Sequence, residues 1–186
     1  MKIQNIDDSI KTDFSYRLTS NAIGQGLGFI RTLIIPQILG PSLFGLWSVL
    51  MIIVQYSSFA HLGTLFEMNR KLPYYEALSN NYQFKKSRSM GFWIGFFTTL
   101  VISILIIIYA FITEPQELII YVCIAFAILS QHVLKYQSTL MRATMRFKSL
   151  SYQDILLSFS LLILSIVLGH YFSIYGVIIA LIFAQL

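Results

Sequence analysis

Arg31 and Lys135 are the two basic residues of this sequence that stand inside otherwise apolar blocks. A charge at the centre of a membrane-crossing helix costs at least about 2.5 kcal/mol on insertion scales, so such a residue ordinarily faces a cavity or a partner. Around Lys135 the residues Gln131, Lys135, Ser138, Arg142 and Arg146 follow one another at intervals of 4, 3, 4 and 4. That spacing holds them on one line of a helix, with His132 and Thr139 beside it, and presents donors and positive charge to an anionic group moving along the line. A plainer reading has Lys135 and Arg142 snorkelling to the membrane surface while Gln131 and Ser138 hydrogen-bond to neighbouring helices. Around Arg31, the residues Asn21, Gln25, Gly28, Arg31 and Thr32 fall within about one third of a helix circumference and form a polar stripe. Arg31, Lys135, Gln131, Arg142, Asn21 and Gln25 are therefore the candidates for a substrate-binding cavity.

Other residues carry weaker signals. Gly24, Gly26 and Gly28, with Ala22, give small-xxx-small spacing suited to close helix packing, and they lack the strand context of a dinucleotide fingerprint. His61 could titrate near neutral pH or simply be hydrogen-bonded. Glu67 precedes Arg70 and Lys71 by three and four residues, which predicts a helix-end ion pair. Asp154 suits the amino-terminal dipole of the helix it opens. Cys123 is the single cysteine, so an internal disulfide and a thiolate metal cluster are both excluded. There is no phosphate-binding loop, no H-E-x-x-H and no nucleophile elbow, and the three histidines are far apart in sequence. These residues form no catalytic constellation and call for no cofactor or metal.

The elements that must position these side chains are read from composition. Hydrophobic residues make up 56% of the 186 and charged ones 11%, well under half the charge of an ordinary soluble domain. The apolar residues gather into blocks of about 20, the length that crosses a hydrocarbon core of about 30 Å. The expected spans are 20–39, 44–66, 89–112, 117–139, 152–172 and 174–186, preceded by a polar segment, 1–19, without the features of a cleaved signal peptide. Breaks fall at Gly40-Pro41-Ser42, along the charged stretch 67–88, at Glu114-Pro115-Gln116, along 142–151 and around Ser173. Pro36, lacking an N–H, is expected to kink the first span. The last block is too short to cross, which points to a fragment ending within its sixth helix.

Orientation follows from the basic residues. Lys2, Lys11 and Arg17 precede the first block, Arg70, Lys71, Lys85, Lys86 and Arg88 lie in the second break, and Arg142, Arg146 and Lys148 in the fourth. The intervening breaks carry Glu114 and Glu117 instead. The positive-inside rule then makes the amino terminus cytoplasmic, and the formal charge of +5 is explained by topology rather than by nucleic acid.

The run 38–48, Ile-Leu-Gly-Pro-Ser-Leu-Phe-Gly-Leu-Trp-Ser, with Leu62-Gly63 and Arg70-Lys71-Leu72-Pro73, resembles the opening helical hairpin of the polysaccharide (O-antigen type) lipid flippases. The stretch 137–143, Gln-Ser-Thr-Leu-Met-Arg-Ala, then Arg146-Phe147-Lys148 and Tyr175-Gly176, resembles the fourth-to-sixth helix region of the same family. The family belongs to the multidrug, oligosaccharidyl-lipid and polysaccharide exporter superfamily. The resemblance implies an all-α integral membrane fold of about 12 to 14 helices in two six-helix lobes, of which 20–186 would be the amino-terminal lobe. Related sequences often carry an acid where His61 stands, so any role of that acid is in doubt here. The drug-exporting branch often has an ion-coupling acid in its first helix, and the block 20–39 has none, which favours the lipid-flippase branch.

The expected function is translocation of a polyprenyl-pyrophosphate-linked oligosaccharide across a bacterial cytoplasmic membrane for surface polysaccharide assembly. Membrane lipid and polysaccharide polymerase machinery are the partners this implies. The alternatives are a cation-coupled multidrug exporter of the same fold and a membrane assembly protein that transports nothing. An enzyme is not expected.

Overall fold

The structure is a computed structural model that describes residues 2–185, with side chains from Phe14 to Gln185. The chain folds as α1 (Lys2–Ser57), α2 (Thr64–Ala77), α3 (Asn81–Thr113), a 3-10 turn (Pro115–Glu117), α4 (Leu118–Ala143) and α5 (Phe147–Gln185). No strand occurs among the described residues. In hydrocarbon every backbone N–H and C=O must be satisfied within the chain, and a continuous helix does so without needing a neighbour. Four stretches are long and apolar enough to cross a membrane: Phe14–Ser57, Asn81–Thr113, Pro115–Ala143 and Phe147–Gln185. Large apolar side chains such as Phe97, Leu105, Phe111 and Ile163 point outward, exposed, along them. A soluble monomer rarely exposes such a continuous apolar surface, and a multi-pass membrane protein does so by design of its solvent.

Two of the long helices are folded back on themselves at a single residue. Gly40 has φ 71 and ψ 171, a conformation essentially confined to glycine. The Arg31 guanidinium carbon lies 5.8 Å from the centre of the Trp47 ring, although these residues would be about 24 Å apart along a straight helix. The chain therefore reverses at Gly40, dividing α1 into legs 2–39 and 41–57. Pro36, by contrast, keeps helical dihedrals, and the break comes four residues later. The second reversal is at Ser173, with φ 52 and ψ −128. A Cβ on Gly176 would stand 1.9 Å from the Leu168 carbonyl oxygen, and one on Gly169 would stand 3.1 Å from Val177 Cγ2. Only a turn at 173 brings those pairs together.

The first legs of α1 and α5 run parallel. Arg17 meets Asp154 at 2.6 Å, Gly24 faces Ser158, Arg31 bonds Ser165 at 3.1 Å, and Ile38 faces Gly169, with residue numbers rising on both sides. The contacts on α1 recur every seven residues, the repeat of a helix seam. The main core gathers Ile35, Leu50, Val54, Ile124, Ile128 and Ile178 from both legs of α1, α4 and the second leg of α5.

The stretch 67–88, read from sequence as a charged break, lies within helix for most of its length: α2 runs from Thr64, inside the expected second span, to Ala77. α1 ends at Ser57, short of residue 66: the N–H groups of Ser58, Phe59 and Ala60 bond three residues back as turns, and the left-handed Leu62 (φ 47) and Gly63 (φ 78) keep the helix from resuming before Thr64. α2 then buries Leu65, Met68 and Leu72 against Ala143, Phe84, Tyr136 and Leu140. Met68 lies over Gly91, where a Cβ would come within 2.2 Å of its sulfur. Asn80 caps α3 by accepting from the Gln83 N–H at 3.1 Å, so α3 begins eight residues before the expected span. At the amino terminus the helix starts at Lys2 and continues unbroken into the first leg, and the side chains of Lys2 and Lys11 lie outside the described residues.

Candidate functional site

Arg31 is held by helix geometry on the face of α1 that meets α5. Its Nε donates to Ser165 Oγ at 3.1 Å, and the guanidinium lies over the Trp47 ring. Nη2 is buried and has no hydrogen-bond partner. Beside it opens a cleft of about 320 Å³ lined by Arg31, Thr32, Ile35, Phe44, Trp47, Ser48, Met51, Ile52 and Gln55. The hairpin at Gly40 is what makes this cleft, since its walls come from both legs of α1. The Ser48 hydroxyl donates to the Phe44 carbonyl at 2.8 Å and that of Thr32 to the Gly28 carbonyl at 2.9 Å, so their oxygens remain available as acceptors. Gln55 keeps a free amide toward the other end.

No carboxylate among the described residues neutralises Arg31. Among the described residues the ion pairs are Arg17 with Asp154 and Lys71 with Glu67. Arg31 stands nine residues before the Gly40 turn, about 13 Å along the helix, so its charge sits deep within the span. A half-satisfied guanidinium beside an open cleft has the chemistry to receive an anion, and its flat fork suits the paired oxygens of a phosphate.

Lys135 does not join Arg31. It lies on α4 with Gln131 and His132, at a small cavity shared with Ser57, Ser58 and His61 from the end of α1 and the following turn, and Thr99 from α3. Arg142 is exposed in the last turn of α4, and Arg146 is exposed just beyond it. Asn21 and Gln25 are exposed on the outer side of α1, and a Cβ on Gly28 would meet nothing within 4 Å, so of the polar stripe only Thr32 stays with Arg31 at the cleft. The six candidates are thus spread over a mid-span cleft, a buried cavity and exposed helix surface.

No family model, curated protein or solved structure matches this chain. Its function is argued from the sites themselves.

Ser165 and Gln55 belong to the Arg31 site without standing out in the sequence. Ser151, Ser158 and Ser165 recur every seven residues along α5, a signal that answers the seven-residue row Arg17, Gly24 and Arg31 on α1. His132 is buried at the Lys135 cavity, where the sequence placed it only beside the polar line. Near the ends of their spans, Asp154 pairs with Arg17 rather than serving a helix dipole alone, and outside the spans Glu67 pairs with Lys71 within α2. The Lys71 ammonium, through its hydrogen bond and charge, holds the Glu67 carboxyl below the usual carboxylate range, and Glu67 in turn raises Lys71.

Proposed function

We propose that this chain is the amino-terminal lobe of a lipid flippase that carries a polyprenyl-pyrophosphate-linked oligosaccharide across a bacterial cytoplasmic membrane, its amino terminus on the cytoplasmic side. The observation that carries the reading is Arg31: a guanidinium deep in a span, without a carboxylate partner among the described residues, with one nitrogen unbonded beside a cleft of about 320 Å³. A sugar-pyrophosphate headgroup cannot enter hydrocarbon without replacing its hydration. Arg31 would supply the charge, Trp47 an aromatic wall and Gln55 an amide for sugar hydroxyls. The exposed Arg142 and Arg146 would raise the local concentration of the anion at the cytoplasmic mouth. The resemblance of the 38–48 and 137–148 runs to the polysaccharide flippases supports the same reading.

The test is made in cells lacking the parent gene, complemented with wild type or Arg31→Ala. Lipid-linked oligosaccharide should accumulate without the gene and with Arg31→Ala, while cationic-dye retention stays at the wild-type level. Unchanged lipid with raised dye retention would assign a drug exporter instead, and wild-type behaviour of Arg31→Ala in both assays would leave a protein that assembles rather than transports.

A further inference from the structure

His61 and His132 are far apart in sequence and meet at one cavity. Each has a buried ring nitrogen with no hydrogen-bond partner, Nδ1 of His61 and Nε2 of His132. The His132 ring is itself 4% exposed, packed between Phe92 and Phe96 and against Gly95, where a Cβ would come within 2.5 Å of its Cε1 atom. The cavity has about 10 Å³ open to a water-sized sphere, roughly the room that one water molecule needs. Two of its hydroxyls are committed as donors, Ser57 to the Val54 carbonyl and Thr99 to the Gly95 carbonyl, each at 2.7 Å, while Ser58 also lines the cavity. What those two present to the cavity is oxygen.

We infer that His61 and His132 form a single proton-binding site, in which one water molecule bridges His61 Nδ1 and His132 Nε2. A water has two O–H groups, which satisfy two bare imidazole nitrogens and so resolve both buried orphans at once. Its lone pairs accept from the Lys135 ammonium or the Gln131 amide, which line the same cavity. An incoming proton adds to the lone pair of one bridging nitrogen. That imidazolium then donates to the water, and the water donates to the other ring. Nothing else changes bonds.

A second proton is opposed by the charges present. The charged groups near the rings are Lys135, which acts on both, and His61, which acts on His132. The cavity's α3 wall is Thr99, the end of α1 gives Ser57 and Ser58, and from α2 the Thr64 hydroxyl donates to the His61 carbonyl at 2.8 Å, so no carboxylate faces the pair among the described residues. Like charges in a shared site titrate as a coupled set, so a proton taken up by one ring opposes uptake of a second by the other. His61 sits on the 58–63 joint between α1 and α2, and His132 on α4, so the proton is held between two separate elements of the helix framework. In a transporter this is the coupling-ion site; that extension rests on the flippase reading above, whereas proton binding does not.

The experiment is a pH titration of the full chain in phospholipid nanodiscs, with nitrogen-15-labelled histidine read by NMR in wild type, His61→Asn and Lys135→Gln. His61→Asn should move the His132 midpoint by at least about half a pH unit, and Lys135→Gln should move both midpoints together to higher pH. Each variant should elute as the wild type does on size exclusion, which reports an intact fold. Unchanged His132 titration in a folded His61→Asn overturns the shared site. If the rings titrate as a pair but lipid-linked oligosaccharide does not accumulate in cells without the gene, the proton site stands and the flippase reading falls.

Discussion

Arg17 and Asp154, 137 residues apart in sequence, meet at 2.6 Å and fasten the first legs of α1 and α5 side by side in parallel. Their side chains are 26% and 37% exposed, so water screens the pair and its worth is about 1 kcal/mol rather than the several a buried pair would show. Arg17→Ala and Asp154→Ala should each lower stability by about that amount, and the double variant by no more than about 1.5 kcal/mol, because both remove the same interaction. Unfolding in detergent by denaturant, analysed as a double-mutant cycle, checks this. Additive losses would mean that the two legs are held by packing alone.

Gly176 is a sharper point of contact. A Cβ there would stand 1.9 Å from the Leu168 carbonyl oxygen and 2.3 Å from its carbon, and backbone cannot step aside as a flexible side chain can. Gly176→Ala should therefore cost about 3 kcal/mol or more and abolish accumulation of folded protein. Gly28→Ala is the control, since nothing lies within 4 Å of that position. Replacing a helical glycine in open space should leave folded protein at or slightly above the wild-type level. Fluorescence-detected size exclusion of the two variants separates the outcomes.

The two hairpin residues should respond in opposite directions. Gly40 uses a conformation that alanine adopts only with strain, so Gly40→Ala should destabilise by about 1 to 3 kcal/mol. Ser173 already bears that strain, with φ 52 and a Cβ. Ser173→Gly relieves it and should raise the midpoint of thermal unfolding, although glycine's greater freedom in the unfolded chain offsets part of the gain. A fall in that midpoint would mean that the Ser173 side chain does more for the turn than its backbone costs.

Apolar block lengths made the long helices legible, because lipid thickness sets them, and Gly40-Pro41 marked one reversal by chemistry peculiar to those residues. The reversal at Ser173 left a fainter trace, since serine has no special claim on positive φ and only the close approach of Gly169 and Gly176 makes the turn fit. α2 was hidden by counting charges. Glu67, Arg70 and Lys71 read as a break, while Leu65, Met68 and Leu72, at helical intervals, carried the amphipathic signal. For the site, Arg31 was legible from its cost in hydrocarbon. Its separation from Lys135 was not, because one sequence gives the depth of a residue along its own helix but not which neighbour that face meets. His61 and His132 are the same case: neither position says alone that the two rings share a cavity.

α2 carries the pH dependence that can be signed from exposed groups. Lys71 hydrogen-bonds to Glu67 one turn earlier, the favourable order for an i, i+4 pair, and both groups are exposed on the surface of α2. The Glu67 carboxyl is depressed by this partner, so its contribution is complete above the ordinary carboxylate range, near pH 4 to 5, and is lost as pH falls through the lowered value. The Lys71 ammonium is raised by the same partner, so its contribution is complete below its ordinary value, near pH 10, and is lost as pH rises through the raised one. Protection of the α2 amides should consequently be flat between about pH 5 and 10 and weaken on either side, once intrinsic exchange is corrected for. Because the pair is open to solvent, 0.5 M salt should flatten the profile, and Glu67→Gln should remove its acidic edge while leaving α3 protection untouched. If the acidic edge persists in Glu67→Gln, the docking of Leu65, Met68 and Leu72 holds α2 in place and the ion pair contributes nothing that protons can remove.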